Sequence, residues 1–337
     1  MLIKLRNFLK IIISLDYRLD FYFVLITTIL FVIGFLVPSD KNFDILLFKD
    51  KWLNKTYQKN LTNDTQFNKL QKKDYHLPNS KINSNDFIIE WSKKILSKVE
   101  KNEPIPREYF SHIPHNLTEI DALNKKNIFI SILLPIALRG NEIILEEKQS
   151  IKKISTSKKN IDKDKLEFFA KKYKVQNYKN INFANLNSSQ ISQIKSQLLI
   201  KVDTIPISMI LAQAIVESGW GSSRFAREGN ALFGEWTWQK DMGIKPEENL
   251  DANFAVKSFS DISTSLNSYL LNLNRHSAYK ALRNYRFENF KDEKPINGLE
   301  AANFLSGYAE IGYKYVTKIR EMIEANKLYR YDNLVLE

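Results

Sequence analysis

The segment "PISMILAQAIVESGWG", residues 206–221, constrains the fold of this chain more than any other stretch. Pro206 suits the first turn of a helix. The apolar residues after it recur at helical spacing and form one stripe, which is typical of a buried helix. Gly219 and Gly221 then predict the end of that helix, directly after a lone carboxylate, Glu217.

Helical periodicity recurs along much of the chain beyond residue 84, whereas strand patterns are rare. We predict further helices over "SNDFIIEWSKKILSKV", "NKKNIFISILLPIALRGNEIILEEKQSIKKI", "DKDKLEFFAKKYK", "SSRFARE", "DISTSLNSYLLNL" and "YVTKIREMIEAN". The uncharged run 128–138 is too short to span a bilayer, so we expect a buried helix that Pro135 can kink. One segment, "NFAVKSFSD", alternates like a short strand, and no βαβ alternation is visible. The predicted fold class is mostly α with a small β element.

The composition bounds the partners and the chemistry. The 337 residues suffice for one large domain or two small ones. An excess of 50 Lys+Arg over 38 Asp+Glu gives a net charge of +12, which favours polyanionic partners such as acidic cell-wall polymers or anionic lipid. Nucleic acid is disfavoured because no nucleic-acid-binding motif is visible. The chain has no cysteine and only four histidines, at spacings unsuited to a metal, so we expect no metal and no cofactor.

Residues 21–37, "FYFVLITTILFVIGFLV", carry no charge and reach the lower length limit for a membrane-spanning helix. Basic residues precede them, so the positive-inside rule keeps the N-terminus in the cytoplasm and exports the rest. A cleaved signal peptide is the alternative, although "GFLVPSD" lacks the small-residue cleavage pattern and favours an uncleaved anchor. From residue 39 to about 85, the abundance of Asn, Lys, Asp and Gln predicts a polar spacer.

Glu217 lies at the border of the apolar stripe on a helical wheel, so we expect its side chain to be half-buried. Partial burial raises the pKa of a carboxyl group, which is what a general acid needs to keep its proton near neutral pH. Trp220 follows between two glycines and offers a flat ring to the apolar face of a sugar. The alternative is a structural Glu217 paired with Arg224 or Arg227, beside a tryptophan that belongs to the core.

The run "ILAQAIVESGWGSSRFAREGNALFGEW" resembles the signature of the bacterial Bax-like glucosaminidases, relatives of the flagellar and autolysin-type endo-β-N-acetylglucosaminidases of glycoside hydrolase family 73. The resemblance extends to "FISILLPIALRGNEIIL", "SYLLNLNRHSAYKALR" and "YAEIGYKYVTKIREMIEAN", and covers residues 127–332. It implies a lysozyme-like domain over 201–334, behind a helical region (86–200), the spacer (39–85) and the anchor (1–38). It also implies cleavage of the β-1,4 bond after N-acetylglucosamine in peptidoglycan of the cell envelope, with Glu217 as the catalytic acid.

The same resemblance points to further site residues. Tyr308 stands in "YAE", where relatives have a "YAT"-like motif, and is a candidate to orient an N-acetyl group or a water. Tyr315 matches a second tyrosine of the Bax-like pattern, with a packing role as the alternative. The candidates to line sugar subsites are Trp220, Asn230, Phe233, Trp236 and Trp238. For each of the tryptophans, a place in the core is the alternative.

A second carboxylate is expected because glycoside hydrolysis usually uses two. The segment after the acid offers Glu235, Asp241, Glu247, Glu248 and Asp251. None of them stands in a recognisable motif, so we favour Glu217 as the acid with either substrate assistance, in which the N-acetyl oxygen is the nucleophile, or a water held by Tyr308. The competing functions are a lytic transglycosylase and a catalytically inactive wall-binding or scaffold protein. The sequence predicts glycan strands and the membrane as partners and identifies no protein partner.

Overall fold

The computed structural model describes residues 74–157, 162–239, 242–247, 253–292 and 294–337. The residues from Lys72 to Glu337 form one compact unit. The predicted anchor at residues 21–37, and the predicted spacer up to residue 73, lie outside the described residues.

Helices dominate the described residues, and the strands among them are two or three residues long. The helices are α1 (Asn79–Ile82), α2 (Asn85–Glu100), α3 (Ala122–Lys153), α4 (Lys163–Lys172), α5 (Ser188–Lys201), α6 (Ile207–Ser218), α7 (Arg224–Gly229), α8 (Ile262–Arg275), α9 (Lys280–Lys291), α10 (Gly298–Ala302) and α11 (Tyr313–Ala325). The strands are β1 (Tyr75–His76), β2 (Glu108–Tyr109), β3 (Trp236–Thr237), β4 (Gly243–Ile244) and β5 (Ala255–Lys257). The predicted class, mostly α with a small β element, is confirmed.

Helix α6 lies at the centre of the molecule. It begins after Pro206, as predicted, and ends where Gly219 adopts a left-handed conformation with φ of 58°. Helices α3, α10 and α11 pack around it, together with the 3₁₀ turn Leu328–Tyr331. Almost every residue of α6 is buried, so the apolar stripe predicted from the sequence is wider than one face. This packing fixes the end of α6, and with it Glu217.

Helix α3 is the long helix against which the other elements pack. Asp121 caps it by accepting hydrogen bonds from the backbone of Leu123 and Asn124, and α2, α5, α6 and α8 contact it. Among the described residues it is the one helix long and apolar enough to cross a membrane, but 72% of its apolar window is buried inside the protein. The run 128–138 is buried throughout, so the prediction of a buried helix is confirmed.

Gly140 brings α3 close to α8. A Cβ atom at this position would lie 2.6 Å from Leu266 Cδ2 and 2.7 Å from Leu270 Cδ1. At distances this short the two leucine side chains would have to shift, so the absence of a side chain at Gly140 allows their close packing against α3.

A buried charge network links α3 to the segment before α6. The Lys148 ammonium lies 2.6 Å from the Asp203 carboxylate, and both residues are buried. The fully buried Arg286 of α9 donates to the Asp203 and Thr204 carbonyl oxygens at 2.9 and 3.0 Å. The hydrophobic core is likewise continuous from α2 to α11. The predicted domain boundary at residue 200 stays a prediction, since packing runs across it.

The small sheet lies between α7 and α8 in the chain. Its strand order is β3–β5–β4, and both pairs are antiparallel. Trp236 of β3 faces Val256 in register, and Ile244 of β4 faces the same residue from the other side. The strand predicted in "NFAVKSFSD" is the central strand, β5.

Candidate active site

Glu217 occupies the last turn of α6 and is half-buried, as its position beside the apolar stripe predicts. Burial raises the pKa of its carboxyl group above the usual value. A side-chain hydrogen bond from Tyr315 and the charge of Lys318 act in the opposite direction and only partly offset the effect of burial. Arg224 forms its ion pairs with Glu228 and Glu247. Among the described residues, Arg224 therefore does not pair with Glu217.

The turn after Glu217 is held by hydrogen bonds and by close packing. The Ser218 hydroxyl donates to the Ala214 carbonyl oxygen at 2.6 Å and accepts from the Gly221 amide at 2.9 Å. Gly221 has φ of 75°, and a Cβ atom there would lie 2.9 Å from Phe129 Cδ2. The backbone of the turn is therefore pressed against α3, in a conformation that favours glycine.

Trp220 lies in the same turn, and its ring faces α3. The ring meets Phe129 edge-on with centroids 6.1 Å apart, and the Lys126 ammonium lies 5.1 Å from its centroid. Its backbone has φ of 60°, which is strained for a residue with a side chain. These contacts favour the packing alternative for Trp220 over the predicted sugar contact.

Three tyrosines and one glutamine surround Glu217. Gln213, one turn earlier on α6, is fully buried. Its amide nitrogen donates to the Tyr315 hydroxyl at 2.9 Å, and its amide oxygen accepts from the Tyr269 hydroxyl at 2.6 Å. Tyr315 also stacks on Tyr308, with ring centroids 5.3 Å apart. The structure thus places both sequence-predicted tyrosines, Tyr308 and Tyr315, beside the predicted acid.

The loop after α7 closes the other side of this group. A Cβ atom on Gly234 would lie 3.2 Å from Glu217 Oε2, so the backbone of the loop runs along the carboxyl group. The Tyr308 hydroxyl donates to the Phe233 carbonyl oxygen at 2.8 Å, which ties the loop to the tyrosines. The oxygen of Tyr308 keeps a lone pair with which it can accept a further hydrogen bond.

Glu235 follows directly and is a second partly buried carboxyl group. Its Oε2 accepts from the Ser268 hydroxyl at 2.8 Å, while its Oε1 is buried without a partner. Burial raises the pKa of Glu235, against the hydrogen bond from Ser268 and the nearby charge of Lys257. Burial, followed by the charges of Glu235 and Glu217, also raises the pKa of Tyr279 to about 12. Both carboxyl groups therefore act on one tyrosine.

The other carboxylates predicted after the acid differ from Glu235. Glu247 is solvent-exposed and its Oε1 lies 2.9 Å from Arg224 Nε. Asp241, Glu248 and Asp251 lie outside the described residues. Glu235 is the carboxyl group with a raised pKa in this segment of the described chain.

The small sheet presents aromatic rings to solvent. Trp238 is 73% exposed and Trp236 is 54% exposed. The Trp236 ring stacks on Phe254 with centroids 4.6 Å apart and planes 10° from parallel, which leaves its other face open. Tyr313, at the start of α11 and close in sequence to Tyr308 and Tyr315, is also exposed. Exposed flat rings of this kind suit stacking against sugar.

Phe233 and Asn230 are placed differently from the predicted subsites. Phe233 is 2% exposed and its ring stacks on Tyr269 at 4.0 Å. Asn230 ends α7 in a left-handed conformation, and its amide nitrogen donates to the Phe259 carbonyl oxygen at 3.1 Å. Both contacts are with other residues of the protein, so these two side chains stabilise the loop after α7.

Sequence reasoning missed Gln213, Tyr269 and Tyr279. A glutamine inside an otherwise apolar helix is a usable signal, because a buried amide needs partners. The position of Tyr269 in α8 predicts only that it packs with the apolar residues of that helix. Tyr279 follows α8 in a 3₁₀ turn that no periodic pattern predicts.

Two pockets in the described residues have linings that do not include Glu217. One pocket, of about 420 Å³, is lined mainly by Asn and Gln side chains between residues 176 and 197. The other, of about 520 Å³, lies between α3 and α8 and reaches Lys257 and Ser268. In the same residues no cluster of His, Asp or Glu side chains could hold a metal ion. We define the candidate site by the side chains that surround Glu217.

Comparison with known proteins shows which chains this one is similar to. Residues 192–328, which include α6, the sheet and α11, match the family model Glucosaminidase, described as mannosyl-glycoprotein endo-β-N-acetylglucosaminidase. The chain is also 29% identical over 209 residues to Protein bax of Escherichia coli (strain K12), an alignment that covers 60% of this chain and 70% of the relative. No solved structure matches the chain.

The match of residues 192–328 to the Glucosaminidase model supports a protein of the glycosidase class. The family-model match and the similarity to Protein bax support a Bax-like protein of the glucosaminidase family. The resemblance seen in the sequence is thereby confirmed.

Proposed function

We propose that the protein cleaves the β-1,4 bond after N-acetylglucosamine in peptidoglycan, with Glu217 as the general acid. The observation that carries the proposal is the raised pKa of the half-buried Glu217 carboxyl group inside a domain that matches a β-N-acetylglucosaminidase model. Peptidoglycan is the proposed substrate for two reasons. The sequence resembles bacterial wall enzymes, and the uncharged run 21–37 with its preceding basic residues predicts that the rest of the chain lies outside the cytoplasm. The domain is proposed to be lysozyme-like.

The proposed reaction begins with proton transfer from Glu217. The proton passes to the glycosidic oxygen while the bond from that oxygen to C1 of N-acetylglucosamine breaks, and the electron pair leaves with the oxygen. A carboxyl group with a raised pKa holds this proton at a pH where an exposed glutamate has lost it. The resulting Glu217 carboxylate then accepts a proton from the water that adds to C1.

The positive charge that develops at C1 needs a partner. In the substrate-assisted route the N-acetyl oxygen attacks C1, and one carboxyl group on the enzyme suffices. Tyr308 suits this route, because its hydroxyl hydrogen is engaged by Phe233 and its oxygen can accept from the N-acetyl N–H or from a water. Glu235 is the candidate second carboxylate for a route that uses two.

The glycan is proposed to lie along the sheet. Trp236 and Trp238 expose rings on the segment that follows Gly234, whose backbone contacts Glu217. The net charge of +12 favours the carboxylates of peptide stems and other anionic polymers of the envelope. The uncharged run 21–37 would hold the chain to the cytoplasmic membrane with its catalytic part outside, in the periplasm or cell envelope.

The experiment is to incubate the full chain with purified sacculi and to identify the new chain ends by mass spectrometry. The proposal expects N-acetylglucosamine reducing ends. Anhydromuramic ends would instead assign the chain as a lytic transglycosylase. Binding to sacculi without any new ends would assign it as a wall-binding scaffold.

A further inference from the structure

The hydrogen bonds beside Glu217 form a chain with one direction. The Tyr269 hydroxyl donates to Gln213 Oε1 at 2.6 Å, and Gln213 Nε2 donates to the Tyr315 hydroxyl at 2.9 Å. All three residues are buried. A phenol has a single hydrogen, so Tyr315, having accepted from Gln213, keeps its own hydrogen for another acceptor. We take this acceptor to be Glu217, because a side-chain interaction with Tyr315 lowers the pKa of Glu217.

We propose that Gln213 and Tyr269 are positioning residues that orient the Tyr315 hydroxyl toward Glu217 and thereby set the proton affinity of the general acid. The inference rests on the proposed function and deepens it. The amide of Gln213 is what fixes the direction, since its nitrogen can only donate and its oxygen can only accept. Hydrogen bonds in such a chain polarise one another, so Tyr315 becomes a better donor than an isolated phenol.

The other groups around Glu217 cannot replace this orientation. Tyr308, Tyr269 and Tyr279 interact with Glu217 electrostatically, and burial keeps all three neutral by raising their pKa values. Lys318 of α11 is the charged group whose effect on Glu217 is resolved among the described residues, and it lowers the pKa. Tyr315, also on α11, supplies the hydrogen bond that opposes the effect of burial.

The substitution Gln213→Met interrupts the series of hydrogen bonds from Tyr269 to Tyr315 without changing any charge. Methionine has about the length of glutamine but neither donates nor accepts strongly, so Tyr315 loses its fixed orientation. The carboxylate form of Glu217 is then less well stabilised, and its pKa rises. Tyr315→Phe removes the last donor and should raise the pKa by more, about 0.7 unit for a net hydrogen bond of about 1 kcal/mol at 1.36 kcal/mol per unit.

The pKa is measured on the full chain by NMR titration of ¹³C-labelled glutamate side chains, with Glu217→Gln identifying the signal. The decisive comparison is Gln213→Met in the Tyr315→Phe background. If Gln213 acts through Tyr315, the second substitution produces no further shift. A shift of equal size in both backgrounds, or no shift in Gln213→Met alone, overturns the proposal.

Two further variants protect this test. Tyr269→Phe removes the hydroxyl group that begins the series of hydrogen bonds, so it should raise the pKa of Glu217 by less than Gln213→Met does. This variant replaces Gln213→Met if that variant does not fold. Ser208→Ala is the matched control, because Ser208 is equally buried on α6 but bonds to Asp332. It should leave the Glu217 titration unchanged.

The outcome separates this inference from the proposed function. On sacculi, the alkaline limb of the rate should move to higher pH in Gln213→Met by the same amount as the titration. If wild type releases no new chain ends while the titration shifts as expected, the proposed function fails and the positioning role stands. If wild type cleaves sacculi but the titration does not respond to Gln213→Met, the positioning role fails alone.

Discussion

Glu217 has a raised pKa because of where it lies on α6. One face of the helix end packs into the protein, and water reaches the other side, so the charged form is partly desolvated. Tyr315 and Lys318 limit the rise and keep the group able to ionise. A general acid needs this balance, because it must release its proton in one step and recover it in the next.

Replacing Glu217 by glutamine should abolish catalysis and preserve the fold. The amide cannot transfer a proton, so cleavage of sacculi should fall by about 10²–10⁴-fold, the usual contribution of general acid catalysis. The release of reducing ends measures the loss. Wild-type activity in Glu217→Gln would contradict the assignment.

The pH dependence follows from the sign of the shift. The native state holds the Glu217 proton at a pH where the unfolded chain has lost it, so stability falls as pH rises from the usual pKa of the side chain to the raised one. Glu217→Gln has no carboxyl group to ionise, so it does not lose this stability as pH rises. The melting temperature of the variant minus that of wild type should therefore be larger at pH 8 than at pH 4. The rate of wild type should fall over the same upper range of pH.

The turn that ends α6 offers a matched pair of glycine substitutions. Gly221→Ala introduces a Cβ atom 2.9 Å from Phe129 Cδ2 as well as a strained φ, and should cost about 1–3 kcal/mol of stability. Gly219→Ala has φ of 58° but nothing within 4 Å, and should cost about 1 kcal/mol. Urea denaturation of both variants measures the difference. Equal losses would show that contact with α3 does not hold the turn.

The exposed sheet and the buried turn predict opposite effects for two tryptophans. Trp238→Ala should weaken binding to sacculi and leave the melting temperature unchanged, because its ring is exposed. Trp220→Ala should lower the melting temperature, because its ring packs on Phe129 and Lys126. Co-sedimentation with sacculi and thermal denaturation measure the two effects. A stability loss in Trp238→Ala alone would reverse the assignment of roles.

The helices with apolar stripes and caps could be predicted from the sequence, and α6, α7 and α8 begin and end close to the predicted residues. Helix α9 could not, because it buries Arg283 and Arg286 beside Leu282 and so shows no apolar stripe. The buried guanidinium of Arg286 donates through Nη1 to backbone carbonyl oxygens that lie about 80 residues away in the chain. Such distant partners leave no local pattern.

The candidate site divides in the same way. Glu217 and the two tyrosines of α11 and its preceding loop stand in motifs, so the sequence predicts them. Gln213 and Tyr269 belong to the site through contacts between α6 and α8, which depend on how the helices pack. Phe233 and Asn230 stand in the motif but serve the loop from inside, since a motif does not show which side of the backbone faces solvent.

The molecule as a whole depends on the buried pair that joins α3 to the start of α6. Burial alone would raise the pKa of Asp203, but the charges of Lys148 and Arg286 hold it below the usual value. Its stabilising contribution is present above the pKa of the unfolded chain and is lost as pH falls through the native one.

Lys148→Met should therefore destabilise the protein by about 3–5 kcal/mol at neutral pH, because it leaves the Asp203 carboxylate buried without its ammonium partner. Urea denaturation measures the loss. In the double variant Lys148→Met with Asp203→Asn the unpaired charge is gone, and part of the stability should return. A loss below 1 kcal/mol in the single variant would show that Asp203 is solvated.

Helix α3 also has the length and hydropathy of a membrane span, and what keeps it in water is the set of helices packed on it. Three of those, α5, α6 and α8, come later in the chain than α3. Under the proposed export of the chain in an unfolded state, α3 would reach the bilayer before these helices are available to pack on it. Packing of the later helices on α3 would then compete with insertion of α3 into the bilayer. Substitutions that slow this packing should therefore increase the fraction of the protein retained in the membrane.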